Sequence, residues 1–416
     1  MKSLILQQKH RYKQQQQGKK IIFPRLKEYY GHERLRNGNM KSWKDDDPHQ
    51  WIVDNQSVPN RYVTQVDNAC QLYTDGSGYI GIYEINATEV GKIFEFSIDI
   101  EDVTTLKIRV GDGDTWYGTF DSEGVGQKLR FVATGTTFYI QSFGANATDV
   151  TFTNTSVREI RTTPIFNDNP SFEDGTFLNQ WQLSGNNSDD AVIELVTSPT
   201  LSGTYALKMQ HQLPGIAGYN RAQIITKPTT LGEFIWGREY WIGIRYYLEN
   251  WLTDPAEWNV LLGAHAVPQW NIWGEGGESG FGIWTDHTGK LYIYSQVIED
   301  PMNEIPGIGG ITNPPAFTTA LLENQILDFV VNVKLSCYEA DNPFIKWWYQ
   351  GTQVVDLSGP NVHYHDADGN VREQYNTLQV GSYKDPAETQ LRRLFVDRIK
   401  IAGDQAIYAD VVPLSA

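Results

Sequence analysis

Three polar side chains, far apart in the chain, have the chemistry of a proton-transfer site. Arg221, in Arg221-Ala222-Gln223-Ile224, is a permanent cation whose forked donors suit a carboxylate. His265, in Gly263-Ala264-His265, titrates near neutrality and can take or give a proton. Tyr383, closing Leu378-Gln379-Val380-Gly381-Ser382-Tyr383, offers a phenol. His265 lies in the apolar run 256–271, with Trp258, Trp270 and Trp273 around it as flat faces for sugar rings. Gln223, Asn259 and Gln269 add amides that can help neutralise a carboxylate. We read this run as the floor of a sugar-binding groove. A core histidine bonded to backbone is the other reading that the stretch by itself allows.

These residues need stiff elements to position them, and the pattern is that of strands. In the larger segment, 164–416, strand-like runs fall at 205–209, 238–247, 291–294, 329–335, 344–349, 378–383 and 394–401. Almost nothing has the period of a long amphipathic helix. A Gly/Pro-rich loop, 299–317, is long for a compact domain and suits a lid over the groove. Upstream, 37–160 alternates apolar and polar residues over 93–98 and 106–110 between Gly/Asp/Asn turns, which predicts a β-sandwich. There Trp116, Tyr117 and Tyr139 can stack on sugar or serve a plain spacer. A linker with two prolines, 161–170, separates the two. Asn169-Pro170-Ser171-Phe172-Glu173-Asp174-Gly175 with Trp181 restates Asn37-Gly38-Asn39-Met40 with Trp43, which predicts an equivalent edge strand opening each domain. The expected fold is therefore all-β: two β-sandwich (jelly-roll) domains, 37–160 and 164–416, behind a basic, irregular arm, 1–36.

The order and surroundings of the three motifs resemble the jelly-roll polysaccharide lyases, that is the alginate lyases, glucuronan lyases and heparin lyase I. Those families carry an Arg-x-Glu-Leu strand, a Gln-x-His strand and a late strand ending in Ala-Gly-x-Tyr. Gly237-Arg238-Glu239-Tyr240-Trp241, Lys346-Trp347-Trp348-Tyr349-Gln350-Gly351 and Phe395-Val396-Asp397-Arg398-Ile399 resemble their outer strand, aromatic hairpin and closing strand. The resemblance spans roughly 164–412. It implies that Arg221 and an amide neutralise a uronate carboxylate, that His265 or Tyr383 removes the C5 proton, and that Tyr383 protonates the leaving oxygen. It also implies a structural calcium shared by Glu173 and Asp397, with no other cofactor. Three positions depart from the pattern. Gln223 stands for the family's Glu, Gly263 for its Gln, and Gln379 for a lysine often found there. Descent of the fold without the activity, leaving a glycan-adhesion or architectural protein, is the alternative these departures keep open. The N-terminal segment 37–160 is likewise similar to carbohydrate-binding jelly-roll modules.

Other chemistry is weakly represented. Asp366-Ala367-Asp368-Gly369-Asn370 begins like a calcium loop but lacks its closing glutamate, so an exposed hairpin turn is expected there, His363 and His365 included. Glu275 and Glu278 are the only carboxylates near Trp273 for a glycoside hydrolase. Phosphate-binding glycine loops, Gly-x-Ser-x-Gly and paired-cysteine sites do not occur.

Charge is divided unevenly. Residues 1–44 hold twelve Lys/Arg and two Glu, whereas the whole chain has 34 basic and 50 acidic residues and a net charge of −16. An acidic body is soluble and repels polyanions at long range, and a basic arm seeks an acidic surface. The two cysteines, Cys70 and Cys337, fall in different expected domains, so no disulfide is expected. No apolar stretch reaches the length of a membrane span, and residues 1–20 lack the pattern of a signal peptide. The expectation is a bacteriophage virion protein, a fibre, tailspike or capsid decoration assembled in the host cytoplasm. Its arm 1–36 would dock on a capsid or tail protein, by analogy as a homotrimer. Its partner would be an acidic polysaccharide, with neither membrane nor nucleic acid.

Overall fold

The computed structural model describes residues 29–413 except 45–46, 106, 144–146, 162–169, 185–186, 188–190, 200, 211–219, 227–233, 253–257, 267–278, 287, 303–314, 366–374 and 385–390. Of residues 31, 32, 105, 220, 258, 264–266, 279, 280, 375 and 384 it describes the backbone alone. The chain is almost wholly β, in antiparallel sheets that pair into sandwiches.

The first sandwich faces a six-stranded sheet with a five-stranded one. The larger sheet runs in the order Gly124–Val132, Ile93–Thr105, Ala147–Arg161, Ala69–Asp75 and Arg61–Val66, and Tyr29–Glu33 pairs with Ala147–Arg161. The smaller runs Trp116–Phe120, Ile108–Gly111, Phe138–Ser142, Gly81–Glu84 and Ile52–Asp54. Period-2 alternation drives the packing. Phe94, Phe96 and Ile98 point inward to meet Ile82, Val110, Phe138 and Ile140, while Glu95 and Ser97 point out.

The second sandwich is built from longer strands. One sheet has eight strands, in the order Trp181–Leu183, Asn220–Thr226, Tyr375–Lys384, Trp258–Ala266, Ser279–Asp286, Lys290–Ser295 and Phe317–Ala320, with Phe234–Ile235 paired to Tyr375–Lys384. The other has seven: Val192–Val196, Ala206–Gln210, Arg393–Gly403, Glu239–Glu249, Ile326–Lys334, Phe344–Tyr349 and Thr352–Ser358. Between them Ile224, Leu262, Ile283, Ile293, Leu378 and Val380 of the first sheet meet Leu207, Ile242, Ile244, Phe329, Trp347 and Ile399 of the second. Cys70 sits in the first core and Cys337 in the second, both free and buried. Burial pushes the Cys337 thiol up to about 12, so it stays protonated at neutral pH.

The sandwiches meet through polar contacts. Arg158 donates to both oxygens of Asp404 at 2.8 and 3.2 Å. Arg238 lies 3.1 Å from Glu33, Lys41 donates to Asp341 at 3.3 Å, and the Tyr30 amide donates to Gln405 at 2.6 Å. A cleft of about 360 Å³ lies along this seam, lined in part by Tyr30, Lys128, Arg158, Trp236, Arg238 and Asp341. Its wall reaches the second sandwich's eight-stranded sheet. The Trp236 indole donates to Asn376 at 2.8 Å, on the strand that also carries Tyr383.

Three expectations change. Residues 29–33 of the expected arm form a sheet strand, because Tyr29 and Tyr30 pair with Arg161 and Ile160; residues 1–28 lie outside the described residues. The two restated motifs begin as turns, with Asn37 and Met40 at φ of 47° and 57° and Phe172 at 63°, and their tryptophans enter different strands: Trp181–Leu183 is the edge of the eight-stranded sheet, as expected, whereas Trp43–Lys44 pairs with Asp47–Pro48 in a separate two-stranded sheet. His363 is buried rather than on an exposed hairpin, since its neighbour Tyr364 is tied by its amide to the Pro301 carbonyl; residues 366–370 lie outside the described residues.

Candidate functional site

Strand pairing brings two of the three chemical residues together. Asn220–Thr226 pairs with Tyr375–Lys384 so that Arg221 lies directly opposite Tyr383 and Gln223 opposite Gly381. Residues directly opposite one another share a face of the sheet. Ala222, Ile224, Leu378 and Val380 take the core face, so Arg221, Gln223, Gln379 and Tyr383 take the other. The Arg221 guanidinium lies 4.0 Å from the centroid of the Tyr383 ring, a cation–π contact. This part of the face is deeply set: Arg221, Gln223, Gln379 and Tyr383 are 0%, 2%, 1% and 9% exposed.

A bulge aligns the next strand with that pair. Two residues, Gly381 and Ser382, stand between Val380 and Tyr383, opposite the single residue Leu261 between Val260 and Leu262. As a result the consecutive residues Leu261 and Leu262 both enter the core. Val260 then faces outward opposite Tyr383, and Gly263 faces outward opposite Gln379. The backbone of His265 follows opposite Thr377 and Ser279, two residues along from Gly263; its side chain lies outside the described residues. Gly381, within this bulge, also allows the close approach of Asn220–Thr226 on its other side. Its φ is 148°, and a Cβ there would sit 2.2 Å from the Ala222 carbonyl oxygen and 2.6 Å from the Gln223 Cα.

The same face continues over two further strands as an aromatic shelf. Val260 lies opposite Trp284, and Trp284 opposite Tyr292, while Gly263 lies opposite Gly282, and Gly282 opposite Tyr294. The Trp284 and Tyr294 rings meet edge to face at 5.1 Å. Tyr292 donates to Asp286, and burial together with that bond pushes its phenol above the usual tyrosine range. It therefore stays protonated and serves as a ring surface rather than a base. Trp284, Tyr292 and Tyr294 escaped the sequence reading, which named Gln379 only as a departure from the family pattern. The two tyrosines had a signal, since Lys290-Leu291-Tyr292-Ile293-Tyr294-Ser295 alternates strictly and puts both rings opposite the buried Leu291 and Ile293.

Of the tryptophans expected at the groove, Trp258 is paired by its backbone with Asp286 but its side chain lies outside the described residues, as do Trp270 and Trp273 altogether. Gln269, Glu275, Glu278 and the core of the 299–317 loop also lie outside them. Asn259 is a correction. It pairs with Lys384, one residue past Tyr383, so the two-residue period puts it on the face opposite Arg221.

The profile of the family described as polysaccharide lyase matches residues 172–400, more than half of the chain and all of the strands just described. The chain belongs to the polysaccharide lyase family. Comparison with curated protein sequences finds no match. Among solved structures, an endo-β-1,4-glucuronan lyase from the fungus Trichoderma reesei is similar over 58% of this chain and 98% of its own, at 18% identity and a TM-score of 0.42. The alginate lyase Aly36B is similar over 55% and 88%, at 11% identity and a TM-score of 0.35. A carbohydrate esterase of the Shiga toxin-encoding bacteriophage phi24B is similar over 56% and 95%, at 12% identity and a TM-score of 0.36.

Two more sets of residues in this lyase-family chain bear on ligands. Glu173 and Asp397 hold the same turn from two sides. Glu173 accepts from the Thr204 and Tyr205 amides at 2.9–3.3 Å, and Asp397 accepts from the Ser202 hydroxyl. Glu173 is exposed, whereas the Asp397 Oδ1 is buried without a hydrogen-bond partner. Burial pushes the Asp397 carboxyl above its usual range. Among the described residues no cluster of three or more His, Cys, Asp or Glu side chains could hold a metal. In the first sandwich, Trp116 and Tyr139 share the outer face of the five-stranded sheet. Tyr139 stacks on Tyr83 at 4.7 Å, and the Arg109 guanidinium covers Trp116 at 3.7 Å. Tyr117 instead packs on Phe131 at 4.2 Å, toward the core.

Gly381→Ala is expected to lower stability by about 2 kcal/mol, because the left-handed backbone and the 2.2 Å approach both oppose a methyl group. Urea unfolding would check it. A midpoint equal to that of the unaltered chain would mean that the close approach does not depend on this glycine.

Proposed function

We propose that the 172–400 domain cleaves an acidic, uronate-containing polysaccharide by β-elimination. The observation that carries this reading is the Arg221–Tyr383 stack on one face of the sheet, with the backbone of His265 on the neighbouring strand. The C5 proton of a uronate becomes acidic only when its carboxylate is neutralised, which is the work of Arg221. A base, His265 or Tyr383, takes that proton. The C5–H electron pair becomes the C4–C5 double bond, the C4–O bond breaks, and the departing oxygen receives a proton from Tyr383. Charge that builds on the carboxylate in the transition state is held by donors already in place, so little reorganisation is needed. The half-buried rings of Trp284, Tyr292 and Tyr294 offer stacking surface beside the reacting unit. The outer face of the first sandwich, with Tyr83, Tyr139 and Trp116, is proposed as a second contact for the same polymer.

Incubation with uronate polymers should raise absorbance at the unsaturated-uronate band. His265→Ala should abolish the rise, and Arg221→Ala should slow it about 10²–10³-fold. Binding of glycan without any such rise would favour the second reading, a catalytically inactive adhesion protein. Gly263 and Gln223, which stand where the resembled families have Gln and Glu, favour that second reading.

The excess of twelve basic residues over two acidic ones in residues 1–44, against an acidic remainder, supports a docking role for the arm. We propose that residues 1–36 mount the protein, as a fibre, tailspike or capsid decoration and as a homotrimer, on a phage particle. Particles that still carry a chain lacking residues 1–28, which leaves the strand Tyr29–Glu33 intact, would count against it. A structural calcium is proposed at Asp397, whose Oδ1 would be one ligand. Calcium at about 100 times its Kd would then stabilise the fold by about 2.7 kcal/mol. An unfolding temperature indifferent to calcium, or raised equally in Asp397→Asn, would remove the ion from the site.

A further inference from the structure

The resembled lyases place an amide two residues before the histidine, and this chain has Gly263 there. Strand register identifies what stands beside the gap. Gln379 lies directly opposite Gly263 on one side and Ile225 on the other, and Gly263 is in turn opposite Gly282. Gln379 therefore borders two adjacent positions that have no side chain, on the face that carries Arg221 and Tyr383. It is 1% exposed, and its Nε2 has no hydrogen-bond partner. Gln223, diagonally across the same strand pair, is 2% exposed, and its Oε1 has none either. One buried donor and one buried acceptor thus stand a diagonal apart without satisfying each other. Orphans of this kind cost stability, on the order of 1–3 kcal/mol each, and a folded protein keeps them where something else satisfies them.

We propose that Gln379 is a catalytic residue: its Nε2 donates to a carboxylate oxygen of the uronate unit, replacing from the tyrosine strand the amide that position 263 lacks. Gln223 Oε1 accepts from a hydroxyl of the same unit. This rests on the lyase reading above and deepens it. An amide donates without giving up its proton, so Gln379 holds the enolate-like charge as the C5 proton leaves to His265 or Tyr383. It cannot itself be the base, as a lysine at 379 could be.

The test uses the full chain and a uronate polymer on which it is active, with kcat and KM measured for Gln379→Ala and for Gln379→Met, which keeps the length and removes the N–H. Both should lower kcat about 10²–10³-fold, with a smaller change in KM. Adding Gly263→Gln to Gln379→Ala should recover at least about tenfold of kcat, since it returns an amide to the same space. A merely structural glutamine would not be rescued from the facing strand. A folded Gln379→Met with kcat close to that of the unaltered chain overturns the assignment. If the unaltered chain cleaves no uronate polymer, the lyase reading fails, and calorimetric binding of a hexauronate decides Gln379 separately. Weaker binding by Gln379→Met supports it; equal binding, or none by either protein, overturns it.

Discussion

A guanidinium buried against a phenol ring is the constraint on which the rest of the second sandwich depends. Arg221 has lost its water, and a charge in that position is tolerated only where neighbours are held rigidly enough to compensate. The Tyr383 ring is one such neighbour, 4.0 Å away. Both residues are on central strands of an eight-stranded sheet whose other face is packed by Ile224, Leu378, Val380 and Leu262. The core thus holds the site from behind. Neither side chain can be displaced far without moving a strand, and neither strand can slip by one residue without sending its apolar set outward.

Within that frame the bulge at Gly381 and Ser382 decides which side chains share the face. Without it, strict alternation along Trp258–Ala266 would place Leu262 outside and Gly263 inside. The extra residue turns two consecutive leucines into the core and delivers Gly263 to the side that carries Arg221. The site is therefore built from an irregularity, and beside it the missing Cβ of Gly381 lets the strand on the other side, Asn220–Thr226, come close.

The seam between the sandwiches has a different character. Its contacts are ion pairs and single hydrogen bonds, such as Arg158 to Asp404 and Lys41 to Asp341, rather than a shared apolar core. Such contacts contribute modestly when solvated. The cleft along the seam is lined in part by Trp236 of the second sandwich, whose indole donates to Asn376 on the strand that carries Tyr383.

The amino-acid sequence by itself determined the all-β class and the alternation that separates core from surface, because each is a local property of period 2, and it supplied the side-chain types from which the candidate residues were chosen. It also contained the rings at 292 and 294, in an alternation six residues long. Register between strands distant in the chain was not local, and only the tertiary structure decided it. That register set Asn259 on the far face, put Gln379 beside Gly263, and left Trp43–Lys44 in a two-stranded sheet of its own while Trp181–Leu183 became a sheet edge. The physical reason is that a strand's neighbours are selected by how well whole sheets bury their apolar faces. A bulge of one residue, which no spacing in the chain announces, reverses the face of every side chain beyond it.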